Sequence, residues 1–265
     1  MKSLPILLLS VALLMASLAT AQTNNDKIRA GSALALKGKI YVLAAFITTP
    51  DKAWSKEDKN VMYQQVNEAL TWLTKQAAQY GVDISFEKGT YGYESDLTVN
   101  TIESGTGSGK ERVDWVSVVL KTVGYKTPMD FYRWAVREKG CDNVLVLVMA
   151  NQGGRSYAIP FSKGLDEEKY FLEGCMLYRT RASGDKLISA TVAHEMLHTF
   201  GGWDLYETFQ QTKENELLAK TMYPDDIMLR VSYNIDDLKI DKLTAWLVGL
   251  PSKEEAVFWT FKPYK

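Results

Sequence analysis

The sequence predicts a single mixed α/β (α+β) domain built on a twisted five-stranded sheet. Three observations carry this. Two near-continuous apolar runs, 40–48 (IYVLAAFIT) and 143–150 (NVLVLVMA), have the make-up of strands buried on both faces. Segments with 3.6-residue apolar spacing alternate with such runs. The bulk composition, 265 residues with 46% apolar and 24% charged, is that of an ordinary globular chain, which sets aside disordered, collagen-like and disulfide-scaffold classes.

The first 21 residues are expected to lie outside the fold. Lys2 gives a positive start, 4–18 is apolar, and Ala19-Thr20-Ala21 fits the small-x-small cleavage site of a secretory signal peptide. The apolar stretch is shorter than the ~20 residues of a spanning helix, and no later segment is long and apolar enough to span. The protein is therefore expected to be exported, either secreted or periplasmic. A polar arm, 22–37, precedes the domain at 38–265.

Within the domain, the run 40–48 is followed by Ser55 and Asp58, which approximate a capping box. Met62, Val66, Ala69, Leu70, Leu73, Ala77 and Tyr80 then keep helical spacing up to Gly81. Residues 84–86 begin a second strand, so the opening is a β-α-β unit. The polar, glycine-rich stretch 95–110 reads as a surface loop. It lacks the P-loop pattern because Ser104 and Glu111 stand where Gly and Ser or Thr are required. Helices are expected at 113–123 and, with Thr127 and Pro128 as start signals, at 129–139, closed by Gly140. After the central run, 154–160 (GRSYAIP) is limited to an edge by Pro160, and 170–178 (YFLEGCMLY) is a further strand. A turn at Ser183-Gly184-Asp185 leads into a helix over 186–200, and a last helix is expected over 235–248.

The formal charge of −1 leaves no electrostatic footprint for nucleic acid or anionic lipid. Cys141 and Cys175 either form a bridge or remain two buried thiols. Neither has a spacing partner that suggests metal or redox chemistry.

Both histidines of the chain fall in one stretch, His194-Glu195-Met196-Leu197-His198, inside the helix 186–200. Residues i and i+4 of a helix lie about 40° apart on one face, so the two imidazoles can reach one metal ion at ~2.0–2.1 Å. Glu195, about 100° round from His194, flanks that face. A catalytic zinc needs a third protein ligand, and no third histidine exists. Gly201 can take the left-handed conformation that ends the helix and turns the chain, returning Asp204 towards the metal.

The pattern H-E-x-x-H-x-x-G-x-x-D resembles the zinc signature of metzincin metallopeptidases, in the snapalysin-like version whose third ligand is Asp. Tyr223-Pro224-Asp225-Asp226-Ile227-Met228 is similar to the Met-containing turn of that family. The resemblance implies one catalytic Zn2+ held by His194, His198 and Asp204, with Glu195 as general base and acid and Met228 as a packing support. It implies a metzincin-like domain with an active-site helix, Met-turn and C-terminal helix. The implied activity is that of a secreted zinc endopeptidase, acting as a monomer on protein or peptide through zinc-activated water. It further implies that the edge strand binds extended substrate, with Gly154, Ser156 and Ala158 the candidate residues. Where many relatives carry a Tyr two residues after the Met, this chain has Arg230, and the nearest Tyr is Tyr233.

Asn215-Glu216 begins like the third-ligand segment of thermolysin-like peptidases but lacks its Ser and Asp. Trp203 reads as a packed aromatic, and Asp225 and Asp226 as turn formers. Two other readings stand beside the peptidase: a secreted zinc-containing binding protein or adhesin without turnover, and a metal-dependent amide hydrolase acting on cell-wall material.

Overall fold

The computed structural model describes residues 29–100, 114–181, 183–208 and 210–262. The expected signal peptide 1–21 and most of the glycine-rich loop lie outside them. The elements run β1 (Gly38–Thr48), α1 (Lys56–Gln79), β2 (Ile84–Tyr91), β3 (Leu97–Thr98), α2 (Trp115–Thr122), α3 (Pro128–Lys139), β4 (Asn143–Gly153), β5 (Tyr157–Ile159), α4 (Glu167–Tyr170), β6 (Glu173–Thr180), α5 (Ser189–Thr199), α6 (Lys213–Met222) and α7 (Lys242–Leu247). Short 3-10 turns occupy Ile235–Asp237 and Ala256–Phe261.

The architecture is mixed α/β with a mixed sheet, as expected. Strand order is β2-β1-β4-β6-β5, and only β5 runs antiparallel to its neighbour. Beyond the five expected strands there is a sixth, β3, whose two residues pair with Ile47 and Thr48 at the end of β1. A two-residue strand carries no alternation for a sequence to reveal.

Side chains alternate across the sheet. Ile40, Val42, Ala44 and Phe46 join α1, α5 and α7 in one core, while Tyr41, Leu43, Ala45 and Ile47 join α2 and α3 in the other. Both faces are covered, which is why β1 and β4 read as unbroken apolar runs. In α1 the Ser55 hydroxyl accepts from the Asp58 backbone N–H at 3.0 Å, and Met62, Val66, Leu70, Leu73 and Ala77 are buried. Thr127 and Asp130 form a full capping box on α3, and Gly140 closes it at φ 57°.

The polar arm is built into the core near its end. Ala33 and Phe161 donate backbone N–H bonds to the Glu173 carboxylate at 2.9 and 2.8 Å. The Ser32 hydroxyl bonds the Val144 carbonyl at 2.7 Å.

Two helix expectations need correction. The helix over 186–200 starts at Ser189, because Lys186 still bridges Thr180 and Leu187 N–H donates to Arg179 O at 2.9 Å, holding the chain in the sheet ladder. The helix over 235–248 is split: Lys239 bridges Asp226 and donates to Asp225 O at 3.0 Å, which extends the chain before Asp241 caps α7. Cys141 and Cys175 are both free and buried, in different cores.

Candidate metal centre

Helix α5 packs against α1, β5 and β6, with Ala190, Val192, Ala193, Met196 and Leu197 in the core. That leaves His194, Glu195 and His198 towards the edge of the sheet where β5 lies. Phe200 caps the helix, and Gly201 follows at φ 95°, the left-handed turn expected of it. Gly202 then donates to Leu197 O at 2.8 Å. A Cβ on Gly202 would meet that carbonyl at 2.9 Å, so the reversal requires a residue without one.

The reversal returns Asp204 to the helix. His194 Nε2, His198 Nε2 and Asp204 Oδ1 form a triangle whose three edges are each 3.2 Å. Tetrahedral ligands of an ion at ~2.0 Å stand roughly 3.3 Å apart, so the triangle has the size of three corners of a zinc site.

The ring tautomers agree with this. His194 Nδ1 donates to Ile227 O at 2.9 Å and His198 Nδ1 donates to Gly202 O at 2.8 Å, since a carbonyl only accepts. In the neutral rings both Nε2 atoms therefore present lone pairs to the centre, the usual arrangement for ligating histidines. Asp204 Oδ1, also an acceptor, is buried without a hydrogen bond that satisfies it. Three acceptors facing one another at 3.2 Å repel unless a cation or proton lies among them. Without a metal, a proton takes that place: although burial alone lowers the His194 pKa, Asp204 and Glu195 outweigh it and raise it to about 9. Burial pushes the Asp204 carboxyl up, but the two imidazoles hold it far below the usual carboxylate range. The side chains of His198 and Asp204 keep 18% and 14% exposure, so the centre opens to one side.

That side is a cleft of about 480 Å³ lined by His194, Glu195, Gly154, Ser156, Tyr206 and Leu229 among others. Glu195 is buried to 8% exposure at its wall. Gly154 and Ser156 lie at the cleft. Ala158 lies two residues beyond Ser156, within β5 and paired with Cys175, and is not among the residues lining the cleft. Ser156 accepts from Tyr178 N–H at 3.2 Å.

The turn at 223–228 underlies the centre. Met228 is fully buried, its methyl 3.4 Å from where a Cβ on Gly202 would sit, and its carbonyl accepts from Leu205 N–H at 2.9 Å. Asp226, fully buried, accepts from Met228 N–H at 2.7 Å, Asp241 N–H at 2.8 Å and the Thr244 hydroxyl at 2.9 Å. Asp225 does not bond its own turn; it pairs with Arg230 at 2.8 Å. Trp203 packs against the core.

Glu216 is not brought to the cluster. It lies on α6, bonded to Lys220 and, at 2.8 Å, to Glu207 N–H, and the metal-sized group among the described residues is His194, His198 and Asp204. Tyr233 also lies elsewhere, 72% exposed beside a groove formed with α1. The tyrosine at the centre is Tyr206, which sequence reasoning missed. Its ring stacks on His194 with centroids 6.1 Å apart. Burial and the Asp204 charge push its hydroxyl well above the usual phenol range, so it stays a proton-bearing donor.

No protein-family model matches the chain, and no curated protein matches it in sequence. No helix among the described residues is long and apolar enough to cross a membrane.

Proposed function

We propose that the protein is a zinc-dependent endopeptidase of metzincin type with aspartate as third ligand. The observation that carries this reading is the 3.2 Å triangle of His194, His198 and Asp204 with both Nε2 lone pairs turned inward. Backbone carbonyls of Ile227 and Gly202 hold the ring orientations, so the donor set is organised before any ion arrives.

His194, His198 and Asp204 would hold the zinc ion, which would supply the Lewis acidity to polarise a scissile carbonyl and to make water acidic near neutral pH. The remaining work falls to the chain. Glu195, next to His194 and on the cleft wall, takes the proton of the attacking water and delivers it to the leaving amine. Tyr206, protonated across the working pH range, faces the same cleft and donates to the carbonyl oxygen as it gains charge. The free side of β5 offers extended peptide a backbone to pair with, beside Gly154 and Ser156.

The test is the zinc-loaded Glu195→Ala protein on casein. Retained zinc with activity lowered by 10³-fold or more supports the reading; undiminished hydrolysis sinks it. Retained zinc with an inactive wild type across casein and a peptide library favours the binding-protein alternative. Turnover of peptidoglycan alone favours the cell-wall amide hydrolase.

A further inference from the structure

Apart from Arg29, whose guanidinium donates to the Leu247 carbonyl at 3.2 Å away from the cleft, the described arginines divide into two sets. Arg133, Arg137, Arg179 and Arg230 are each paired with a carboxylate, Glu168, Glu138, Asp58 and Asp225 respectively. Arg155 and Arg181 have no carboxylate partner among the described residues, and both line the cleft beside Glu195. A guanidinium presents five donors in a planar fork suited to an anion. Leaving two of them unneutralised on the wall of one cleft makes that wall a place where an arriving anion gains charge-assisted hydrogen bonds.

Their placement relative to the reacting centre is set by hydrogen bonds. Arg181, just beyond the end of β6, donates from Nη2 to the Thr191 hydroxyl at 3.2 Å. Thr191 is one turn before Glu195 on α5, so the guanidinium is anchored about 5–6 Å along the helix from the position of the general base. Arg155 lies on the other side. Its Nη2 donates to the Tyr206 hydroxyl at 3.4 Å, and Tyr206 stacks on His194. The third arginine of the cleft, Arg230, is held away by Asp225 and by the Pro224 carbonyl at 3.0 Å. Arg155 is therefore tied to the tyrosine that faces the reacting carbonyl, and Arg181 is the cation left to read a neighbouring substrate group.

The geometry points to a carboxylate on the substrate as the group this cleft selects, recognised by Arg181 with Thr191 and supported by Arg155, within about two residues of the scissile bond. This deepens the peptidase reading and rests on it. The carboxylate can be an acidic side chain, Asp or Glu, or the free C-terminus of a short peptide. Both present the same planar pair of oxygens.

The test uses the full-length zinc-loaded protein and matched peptides that carry Glu or Gln at each of the two positions on either side of the cleaved bond. Each is made with a free and an amidated C-terminus, and casein serves as a general substrate. Glu peptides are expected to be cleaved about tenfold faster than Gln peptides at low salt. The ratio should fall to about twofold or less in Arg181→Gln and shrink with added salt. A preference that follows the free C-terminus instead assigns the same pocket to the terminal carboxylate.

A second readout needs no turnover. Fluorescein-labelled Glu peptide should bind zinc-loaded Glu195→Ala about tenfold more tightly than its Gln counterpart, and Arg181→Gln in that background should remove the difference. Equal cleavage of Glu and Gln peptides while casein is digested overturns the carboxylate proposal and leaves the peptidase reading standing. Arg181-dependent binding of Glu peptide with no hydrolysis of any substrate keeps carboxylate recognition and overturns the peptidase reading. Equal binding of both peptides overturns the proposal.

Discussion

His194 and Ile227, 33 positions apart in the chain, meet through a buried 2.9 Å hydrogen bond from the imidazole Nδ1 to the backbone carbonyl. The turn that buries Met228 therefore fixes the tautomer of the first histidine. Its neighbour Met228 accepts from Leu205, the residue after Asp204. One turn thus braces two corners of the triangle, one by its side-chain contact and one by the backbone.

Zinc content separates the two acidic candidates for third ligand. Asp204→Ala should lose stoichiometric zinc, because it removes one corner of a three-donor set. Glu216→Ala should keep it, because Glu216 serves only Lys220 and the backbone of Glu207. Elemental analysis after dialysis against a weak chelator reads the difference. Zinc lost from Glu216→Ala and kept in Asp204→Ala would reverse the assignment.

A metal ion bound at the proposed site would have to displace a proton. The folded metal-free protein holds the His194 proton up to about pH 9, whereas an unfolded histidine releases it near ~6.5. The raised pKa means that this contribution to stability is complete below ~6.5 and is lost as pH rises through about 9. Zinc binding at pH 7.5 should therefore release about one proton from the cluster. Titration calorimetry in buffers of different ionisation enthalpy counts it; no buffer dependence would refute the coupling.

Tyr206→Phe keeps the ring on His194 and removes only the hydroxyl. Loss of one donor to a developing oxyanion costs on the order of 10²-fold in kcat, here expected at 10- to 100-fold with zinc content and KM little changed. A fall in KM affinity alone would make Tyr206 a substrate-packing residue instead.

Asp226 is the hub of the turn, and burial, opposed by its three donors, raises its carboxyl to about pH 7. The folded state keeps a proton that the unfolded chain releases near ~3.9, so this group makes stability fall as pH rises from about 4 to about 7 and adds no slope above. Asp226→Asn removes that slope but turns an N–H towards the Asp241 donor, costing about 1–3 kcal/mol. Urea midpoints of wild type and variant from pH 4.5 to 8 should converge as pH rises. Parallel curves would show that Asp226 is ionised throughout.

Much of the fold was legible because the decisive signals are local. The runs that became β1 and β4 are apolar on both faces, the period of α1 is carried by seven residues, and the two histidines lie one turn apart within one helix. Gly201 was readable as the end of that helix because a positive φ suits glycine. What stayed hidden depends on contacts distant in sequence. Tyr206 acquires its place only after the reversal at Gly201 and Gly202 lays it against His194, and Arg181 only where the end of β6 meets Thr191. The last helix was read too long because nothing in 235–241 announces that Lys239 will bridge Asp226. A cleft lined by α5 and by loop residues from four separate stretches of chain has no period to detect.

The two thiols illustrate what a sheet covered on both sides does to chemistry at a distance. Cys141 and Cys175 are sealed in separate compartments of the interior, so no covalent strap joins the halves and a reductant has nothing to cut. Each thiol becomes exposed only when its own layer opens. The rate at which an alkylating reagent labels each one would time the breathing of the layer that carries His194 and His198, through Cys175, independently of the opposite layer, through Cys141.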